Sequence, residues 1–174
     1  MSALEGFIRT IPDFPQPGIA FRDITPLLAD ARALNEAVTA MAGQASAMGA
    51  DVVIGAEARG FLLGPALARE LDCGFAMARK PGKLPYATLS AAYELEYGTE
   101  SLELHDGAIS DGHRVLVHDD LLATGGTAEA VGELVEKSGG EVVGFSFLIE
   151  LEGLGGRERL SPLAVESLMK LEAG

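Results

Sequence analysis

The stretch VLVHDDLLATGGT at residues 115–127 decides the fold of this chain. Its first residues predict a buried strand, which we expect to end at the carboxylates of Asp119 and Asp120. A loop of small residues and the start of a helix follow at residues 123–127. Backbone N–H groups at a helix N-terminus favour an anion, and glycines let it approach closely. The stretch therefore predicts a sugar-phosphate site, with the carboxylates placed against ribose hydroxyls or a metal-bound sugar.

A buried strand followed by a glycine-rich turn also occurs in α/β proteins that have no such site. The acidic pair distinguishes this stretch, because adjacent carboxylates repel each other and need a compensating partner. The carboxyl ends of strands are also where α/β sheets bind ligands. Two other common phosphate-binding patterns, G-x-x-x-x-G-K-[ST] and G-x-G-x-x-G, do not occur in the sequence. The sugar-phosphate interpretation is therefore the stronger one.

Composition narrows the class of protein. The chain has 174 residues, of which 48% are hydrophobic, so we expect a single domain over residues 1–174 with one core. The net charge of -13 argues against nucleic-acid and anionic-membrane partners. No apolar run is long enough to span a membrane, and the N-terminus lacks the features of a signal peptide, so we expect a cytoplasmic protein.

Strand and helix patterns alternate along the chain. Short apolar runs of strand type are separated by stretches in which apolar residues recur with helical spacing. This order predicts an α/β fold in which helices cover both faces of a parallel sheet. Strands are expected at residues 51–55, 75–78, 115–118, 142–149 and 165–168, the last at an edge, and helices at 30–48, 61–71 and 127–138.

Three segments do not follow this alternation. Prolines at positions 12, 15 and 17 exclude a regular helix and predict an ordered arm, or hood, within residues 1–28. Residues 84–104 mix aromatic, small and acidic side chains, which predicts a hairpin lid. The glycine-rich residues 153–157 predict a flexible loop.

Positive charge is concentrated in one short segment of this acidic chain. Arg79, Lys80 and Lys83 lie within the sequence RKPGK at residues 79–83. The segment is either a solvated basic turn or a phosphate-facing loop, and the residue pattern alone leaves both interpretations open.

Five blocks of sequence, in order along the chain, are similar to those of the adenine phosphoribosyltransferases, within the type I phosphoribosyltransferase family. The blocks are FPQPGIAFRD at 14–23, GAEARGF at 55–61, RKPGKLP at 79–85, YELEYG at 93–98 and the 115–127 stretch. The resemblance implies a type I phosphoribosyltransferase fold, with a central parallel sheet flanked by helices, a small N-terminal hood and a hairpin lid. It also implies purine salvage, in which adenine and 5-phosphoribosyl 1-pyrophosphate (PRPP) give AMP and pyrophosphate.

The same resemblance assigns the PRPP-binding residues. The acidic pair would contact the ribose, the small-residue loop would cradle the 5′-phosphate, and the loop around Arg59 would bind pyrophosphate. A cis peptide bond is implied near Glu57-Ala58. The basic segment would reach pyrophosphate across a homodimer interface, and Mg²⁺ would be held mainly through PRPP rather than by direct protein ligands. The PRPP set is Asp119, Asp120, Ala123, Thr124, Gly125, Gly126, Thr127, Glu57, Ala58, Arg79, Lys80 and Lys83.

The resemblance further assigns adenine-binding and catalytic residues. The hood residues Ala20, Phe21 and Arg22 would recognise the adenine edge through backbone groups, with apolar contact from Phe21 and Leu151. The catalytic residues would be Glu96, Tyr97 and Arg59. Glu96 would accept a proton or stabilise charge, Tyr97 would close over the reacting groups, and Arg59 would contact the leaving group.

Two positions depart from the family pattern, and two other functions stay open. His118 replaces a more usual apolar residue and is either pH-sensitive or simply hydrogen-bonded, the second being favoured. Ala20 is smaller than many residues that occupy its place. The acceptor could instead be hypoxanthine, guanine, orotate or a pyrimidine, since the 115–127 stretch identifies only the superfamily. A PRPP-sensing regulator is disfavoured by the negative charge, by the lack of a DNA-binding extension and by the intact lid and pyrophosphate blocks.

Overall fold

Five parallel strands form the central sheet of the protein, whose computed structural model describes residues 3–95 and 98–173. The strands are β3 Val52–Ala56, β4 Gly74–Ala78, β7 Arg114–Leu122, β8 Glu141–Glu152 and β9 Val165–Glu172. Their order in the sheet is β4-β3-β7-β8-β9, and every neighbouring pair is parallel. The predicted α/β architecture is therefore confirmed, with the last strand at an edge.

Helices cover both faces of this sheet, as predicted. The expected helix at 30–48 is present as α2 followed by a 3-10 turn at Ser46–Met48. It begins where it does because Asp30 caps it, accepting hydrogen bonds from the backbone N–H of Arg32 and Ala33 at 3.0 and 2.9 Å. The helices are α1 Thr25–Ala29, α2 Ala31–Ala45, α3 Gly60–Glu70, α4 Gly126–Lys137 and α5 Gly156–Arg159, with a further 3-10 turn at Ala3–Phe7.

Side-chain alternation in the central strands divides the core into two layers. On one face, Val53 and Leu116 pack with residues of α2 and α3 such as Met41 and Leu63. On the other face, Ile54 and Val117 pack with residues of α4 and of the hairpin described below, including Val131, Leu134, Leu102 and Leu104. Strands buried on both faces explain why the sequence shows continuous apolar runs in this part of the chain.

The acidic pair does not end its strand, so that prediction is wrong. β7 continues through Asp119 and Asp120 to Leu122, and its pairing with β8 includes Asp119 opposite Phe147 and Leu121 opposite Ile149. The strand continues because β8 extends equally far and because Asp120 has a cationic partner, Arg59, described below. The expected loop at 153–157 is likewise shorter, since α5 begins at Gly156.

Two small antiparallel sheets accompany the central one. The hood contains β1 Arg9–Ile11 paired with β2 Phe21–Asp23, so the predicted arm is ordered. The hairpin consists of β5 Thr88–Leu95 and β6 Gly98–His105, which confirms the predicted hairpin. Glu96 and Tyr97, the predicted catalytic pair, lie outside the described residues. In the described part of the chain, no helix has the length and apolar character needed to cross a membrane.

Candidate active site

A cavity of about 200 Å³ opens beside the carboxyl end of β7, where the predicted phosphate loop leads into α4. Arg59 and Asp119 contribute charged groups to its wall, and Phe147 contributes an apolar surface. Sequence reasoning had identified Arg59, Asp119 and residues 123–127 of this lining. It had not singled out Ala128 or Phe147 as site residues, and Phe147 lies in an apolar strand without a distinguishing signal. The lining residues are Arg59, Asp119, Leu121, Leu122, Ala123, Thr124, Gly125, Gly126, Thr127, Ala128 and Phe147.

The phosphate loop, residues 123–127, has the local geometry of an anion site. Gly125 has a φ of 83°, in the left-handed region that favours glycine, and it forms the N-cap of α4. The first N–H groups of a helix have no partner within the helix, and they point out of its N-terminus. They lie beside the cavity together with the hydroxyl-bearing residues Thr124 and Thr127. The loop can therefore offer several donors and a helix dipole to one phosphate.

The two adjacent aspartates have different surroundings. Asp119 lines the cavity, and its Oδ1 accepts a hydrogen bond from the backbone N–H of Asp120 at 2.8 Å. Burial, reinforced by the neighbouring Asp120 carboxylate, raises the pKa of Asp119. Asp120 is only 1% exposed and has its Oδ2 3.2 Å from Arg59 Nη1. Burial also raises the pKa of Asp120, although the Arg59 charge opposes that shift.

Arg59 connects the predicted pyrophosphate loop with the hood. Its guanidinium pairs with Asp120, and its Cζ lies 5.2 Å from the centroid of the Phe21 ring, within cation–π distance. The side chain remains 40% exposed, so part of its guanidinium is accessible to a ligand in the cavity. The peptide bond Glu57-Ala58 in this loop is cis, as the resemblance implied.

Close backbone packing holds the pyrophosphate loop against β7. A Cβ added to Gly60 would lie 2.9 Å from the carbonyl oxygen of His118 and 3.3 Å from Asp119 Oδ1. A Cβ added to Gly55 would lie 2.8 Å from the carbonyl oxygen of Gly60. The two contacts with carbonyl oxygens, at 2.9 and 2.8 Å, are shorter than real Cβ atoms make, so only glycine fits at either end of the loop. Sequence reasoning included Gly60 in the GAEARGF block but gave it no role of its own, because the close approach of β7 is not visible in the sequence.

The basic segment is anchored by acidic side chains of the same chain. Glu57 accepts hydrogen bonds from Arg79 Nε at 3.2 Å and from the backbone N–H of Lys80 at 2.9 Å. These hydrogen bonds lower the pKa of Glu57, and the one from the Lys80 backbone has the largest effect. Lys80 Nζ also lies 3.6 Å from Glu100 Oε2 on the hairpin. The Glu57 carboxylate is therefore directed to Arg79 and Lys80, and its backbone belongs to the pyrophosphate loop.

The structure joins the hood to the carboxyl ends of β8 and β9. Arg22 donates hydrogen bonds to the carbonyl oxygen of Glu172 at 2.6 Å and to Thr10 Oγ1 at 2.5 Å. Glu172 ends β9, in which Leu171 is paired in register with Leu151 of β8. The Arg22–Glu172 hydrogen bond and the pairing of β8 with β9 thus bring the predicted hood residues and Leu151 into one region. The Phe21 ring packs edge-on against Phe14, with 5.2 Å between centroids.

His118 is a buried residue of the central sheet and lies outside the cavity lining. Its side chain is fully buried, and Nδ1 donates a hydrogen bond to the carbonyl oxygen of Ser146 at 3.0 Å. Burial lowers the pKa of His118 to about 4, so the ring is neutral near neutral pH. This favours the hydrogen-bonded interpretation over a pH-sensitive one.

Comparison with known proteins identifies the family. A family model described as a phosphoribosyl transferase domain matches residues 27–167. The chain is 56% identical over 157 residues to an adenine phosphoribosyltransferase of Gloeobacter violaceus, covering 90% of this chain and 92% of that protein.

Two solved structures are also similar. Adenine phosphoribosyltransferase of Thermoanaerobacter pseudethanolicus has a TM-score of 0.94 and 50% identity, covering 97% of this chain and 98% of that one. The Saccharomyces cerevisiae enzyme, complexed with an imino-altritol bisphosphate and adenine, has a TM-score of 0.90 and 37% identity, covering 95% and 96%. Together with the cavity, the phosphate loop and the hood, these similarities show that this chain belongs to the adenine phosphoribosyltransferase family.

Proposed function

We propose that this protein is a purine salvage enzyme that transfers the 5-phosphoribosyl group of PRPP to adenine, giving AMP and pyrophosphate. The observation that carries the proposal is the convergence of three features on one cavity. The phosphate loop lies at the N-terminus of α4, the acidic pair lies beside it, and Arg59 reaches from the pyrophosphate loop to both Asp120 and the hood residue Phe21. A phosphate, a ribose, a leaving group and a base therefore have adjacent places.

In this proposal the phosphate loop binds the 5′-phosphate of PRPP. Ala123, Thr124, Gly125, Gly126 and Thr127 provide backbone N–H groups, and the two threonines provide hydroxyl donors. Asp119 accepts hydrogen bonds from ribose hydroxyls, which its position in the cavity wall allows. Asp120 contributes mainly by holding Arg59 in place, because its carboxylate is buried against that guanidinium.

The leaving pyrophosphate is assigned to the loop of Glu57, Ala58 and Arg59. As the bond between ribose C1 and the pyrophosphate oxygen breaks, negative charge grows on that oxygen and the exposed part of the Arg59 guanidinium stabilises it. Mg²⁺ would neutralise part of the same charge when it is bound. The cavity suits a metal that arrives with PRPP, because Asp119 is the carboxylate that faces it while Asp120 is paired with Arg59.

Adenine is assigned to the space under the hood, with Ala20, Phe21, Arg22 and Leu151 around it. Backbone groups of a hood strand can recognise the amino group and ring nitrogens of adenine, and such a site disfavours hypoxanthine, because its carbonyl would face an acceptor. The latch from Arg22 to Glu172 supports this assignment by keeping the hood strand beside β9 and so near Leu151.

The chemical step also needs groups from the hairpin. While C1 of the ribose has oxocarbenium character, adenine N9 forms the new bond to C1 and then loses its proton. We assign acceptance of that proton, or stabilisation of the positive charge, to Glu96, and exclusion of water to Tyr97. These two assignments rest on the family motif in the sequence.

A homodimer and a cytoplasmic location complete the proposal. β4 lies at an edge of the central sheet, where Met77 is 41% exposed, and Leu62 of the neighbouring α3 is 48% exposed. A second copy covering this apolar surface would place the basic segment, which begins directly after β4, beside its partner's site. Arg79, Lys80 and Lys83 would then add positive charge around pyrophosphate. An active monomer in light scattering would contradict this arrangement.

The activity is tested by mixing the purified protein with PRPP and Mg²⁺ and offering adenine, hypoxanthine, guanine, orotate and uracil in separate reactions. We expect AMP and pyrophosphate from adenine, with little product from the other bases. Preference for another base would keep the fold and the PRPP site but contradict the assignment of the hood. Binding of PRPP without any product would contradict the enzymatic function.

A further inference from the structure

A short turn outside the cavity packs against the back of the phosphate loop. This turn is α5, Gly156–Arg159, which we call the buttress turn. Gly156 is buried, and a Cβ added to it would overlap the carbonyl oxygen of Ala123 and lie 2.8 Å from Leu122 Cδ1. In the opposite direction, a Cβ added to Gly125 would lie 3.0 Å from the carbonyl oxygen of Gly156. Two glycines thus allow the backbones of turn and loop to touch.

The buttress turn is fixed to the central sheet through Arg157. Its Nε and Nη2 donate hydrogen bonds to the two carboxylate oxygens of Glu150 at 2.9 and 2.5 Å, and Nη1 donates to the carbonyl oxygen of Val165 at 2.5 Å. Glu150 is buried in β8, and the Arg157 hydrogen bond is the main reason why the pKa of Glu150 is lowered. This bidentate pair connects the turn with two strands and orients it more strictly than a single bond would.

The far end of the turn is fixed to the helix that follows the phosphate loop. Arg159 Nε donates a hydrogen bond to Glu129 Oε2 at 2.7 Å. Glu129 lies in the first turn of α4, and its backbone N–H bonds to the carbonyl oxygen of Gly125 at 2.9 Å. The turn therefore contacts the phosphate loop directly through Gly156 and indirectly through the beginning of α4.

We propose that the buttress turn is a positioning element for the 5′-phosphate site. Gly156 sets how closely the phosphate loop approaches the turn, and the Glu150–Arg157 pair holds the turn in place. The proposal rests on the proposed function, because it assumes that the loop binds the 5′-phosphate. Gly156 and Arg157 are absent from the cavity lining, so they act through the loop rather than on a ligand. Anion-binding N–H groups need placement to within about 0.5 Å, which a supporting shell must provide.

The proposal predicts a selective defect. In Gly156→Ala the new methyl group must displace the Ala123 carbonyl and with it the phosphate loop. A ligand that uses this loop should be affected, whereas pyrophosphate, assigned to the loop around Arg59, should not be. Gly132→Ala is a matched control, because Gly132 lies in α4 and an added Cβ would have no neighbour closer than 3.8 Å.

Isothermal titration calorimetry of the full chain with ribose 5-phosphate and with magnesium pyrophosphate tests this directly. In Gly156→Ala we expect ribose 5-phosphate to bind about tenfold more weakly or worse, since a shift of about 1 Å is enough to misplace a ligand-binding group. Magnesium pyrophosphate should bind within about twofold of wild type, and Gly132→Ala should leave both affinities unchanged. Circular dichroism without ligand establishes that each variant is folded.

Arg157→Lys is the second variant, because it keeps the charge but loses the bidentate geometry. It should show the same selective loss to a smaller degree, and it replaces Gly156→Ala if that variant does not fold. Unchanged ribose 5-phosphate affinity in a folded variant, or equal loss of both ligands, would overturn the buttress role. If the wild-type protein binds neither ligand, the proposed function fails as well, which distinguishes that outcome from a defect confined to the turn.

Discussion

The hood contains a buried aspartate, Asp23, and the floor of the cavity contains a half-buried one, Asp119. We call floor the carboxyl end of β7 together with the loops at 57–60 and 123–127. The two carboxylates have opposite surroundings. Asp23 of the hood accepts hydrogen bonds from Arg9 Nε at 2.9 Å, from Arg9 Nη2 at 2.5 Å, and from the N–H and hydroxyl of Thr25 at 2.9 and 3.0 Å. These hydrogen bonds lower the pKa of Asp23 to about 2, and the one from the Thr25 backbone has the largest effect. Asp119 of the floor has a raised pKa instead, because burial and the Asp120 carboxylate dominate.

This difference separates a structural carboxylate from a ligand-binding one. The lone pairs of Asp23 are used by its own chain, and they fix the beginning of α1 and the β1–β2 pair. Among the described residues, the Asp119 carboxylate accepts a hydrogen bond from the backbone N–H of Asp120, which leaves acceptor capacity facing the cavity. A buried carboxylate without enough donors destabilises the fold, and such a group is tolerated where a ligand supplies the missing donors.

The same contrast applies to how the two regions are built. The floor depends on close backbone packing at Gly55, Gly60 and Gly156, where no side chain fits. The hood depends on polar links such as Arg9–Asp23 and Arg22–Glu172, whose arginines are partly solvent-exposed. We therefore expect changes in the floor to abolish PRPP binding and changes in the hood to weaken adenine binding gradually.

The largest effect is expected from the double substitution Asp119→Asn with Asp120→Asn. It removes the Asp119 carboxyl group, which is assigned to the ribose hydroxyls, and the Asp120 carboxylate, which is the partner of Arg59. Hydrogen bonds to charged groups contribute about 1.5–3 kcal/mol each, so PRPP affinity should fall by about 100-fold or more. Calorimetry with PRPP and Mg²⁺ measures this, with the exposed Asp106→Asn as control. Normal affinity would contradict the assignment of the floor.

Removing the aromatic ring of the hood should have the next largest effect. Stacking of a base on an aromatic ring contributes about 1–3 kcal/mol, so Phe21→Ala should raise KM for adenine by about tenfold. KM for PRPP should change by less than about twofold if the two regions act separately. Initial-rate kinetics with each substrate varied gives both values. Leu163→Ala, at a 40% exposed apolar residue outside the hood, the hairpin and the cavity lining, is the control. An equal rise in both KM values would show that Phe21 acts through Arg59 rather than on adenine.

Asp119→Asn alone should stabilise the fold while weakening PRPP binding. The folded-state pKa of Asp119 is raised, so its contribution to stability is fully present below the unfolded value and is lost as pH rises through the folded value. Near neutral pH the variant should therefore be more stable than wild type by about 1 kcal/mol, with the difference disappearing below about pH 4. Urea unfolding at several pH values tests this. A variant that is less stable at neutral pH would mean that the Asp119 carboxylate is already satisfied.

The smallest effect is expected from Arg9→Gln in the hood. Arg9 is 62% exposed, and exposed ion pairs contribute little, so KM for adenine should rise by about twofold with KM for PRPP unchanged. The pKa of Asp23 should rise but stay below its ordinary value, because the Thr25 N–H remains. Since a lowered pKa stabilises the fold above the unfolded value, that contribution should now be lost at a higher pH during acidification. Arg32→Gln on α2 is the control, and a tenfold rise in KM for adenine would contradict the minor role of the Arg9–Asp23 pair.

Much of the architecture could be predicted because it depends on local patterns. Apolar runs and helical spacing identified the strands and helices of the central sheet, and the capping residue Asp30 marks where α2 begins. The phosphate loop was equally recognisable, because glycines, hydroxyls and a helix start occur together in five residues at 123–127.

What could not be predicted depends on contacts between distant segments. Nothing near Asp120 in the sequence indicates that the Arg59 guanidinium will lie against its buried carboxylate, and so the continuation of β7 past the acidic pair was missed. Likewise Gly156 contacts Ala123 only because α5 returns to the loop after β8. The division of the acidic pair into a cavity-facing and a buried member also required the three-dimensional arrangement.

The central claim is that the Asp119 carboxyl group of the floor is available to a ligand, whereas the Asp23 carboxylate is hydrogen-bonded within the hood. A carboxyl NMR titration of the ligand-free protein tests this claim most directly. Resonances of Asp23, Asp119 and Asp120 are assigned with single Asn substitutions and followed with pH. We expect Asp23 to titrate near 2. The Asp119–Asp120 pair should titrate well above the ordinary aspartate value of about 3.9. If the pair titrates at or below that value, hydrogen bonds or charges of the protein itself stabilise the Asp119 carboxylate, and the claim that it is available to a substrate is contradicted.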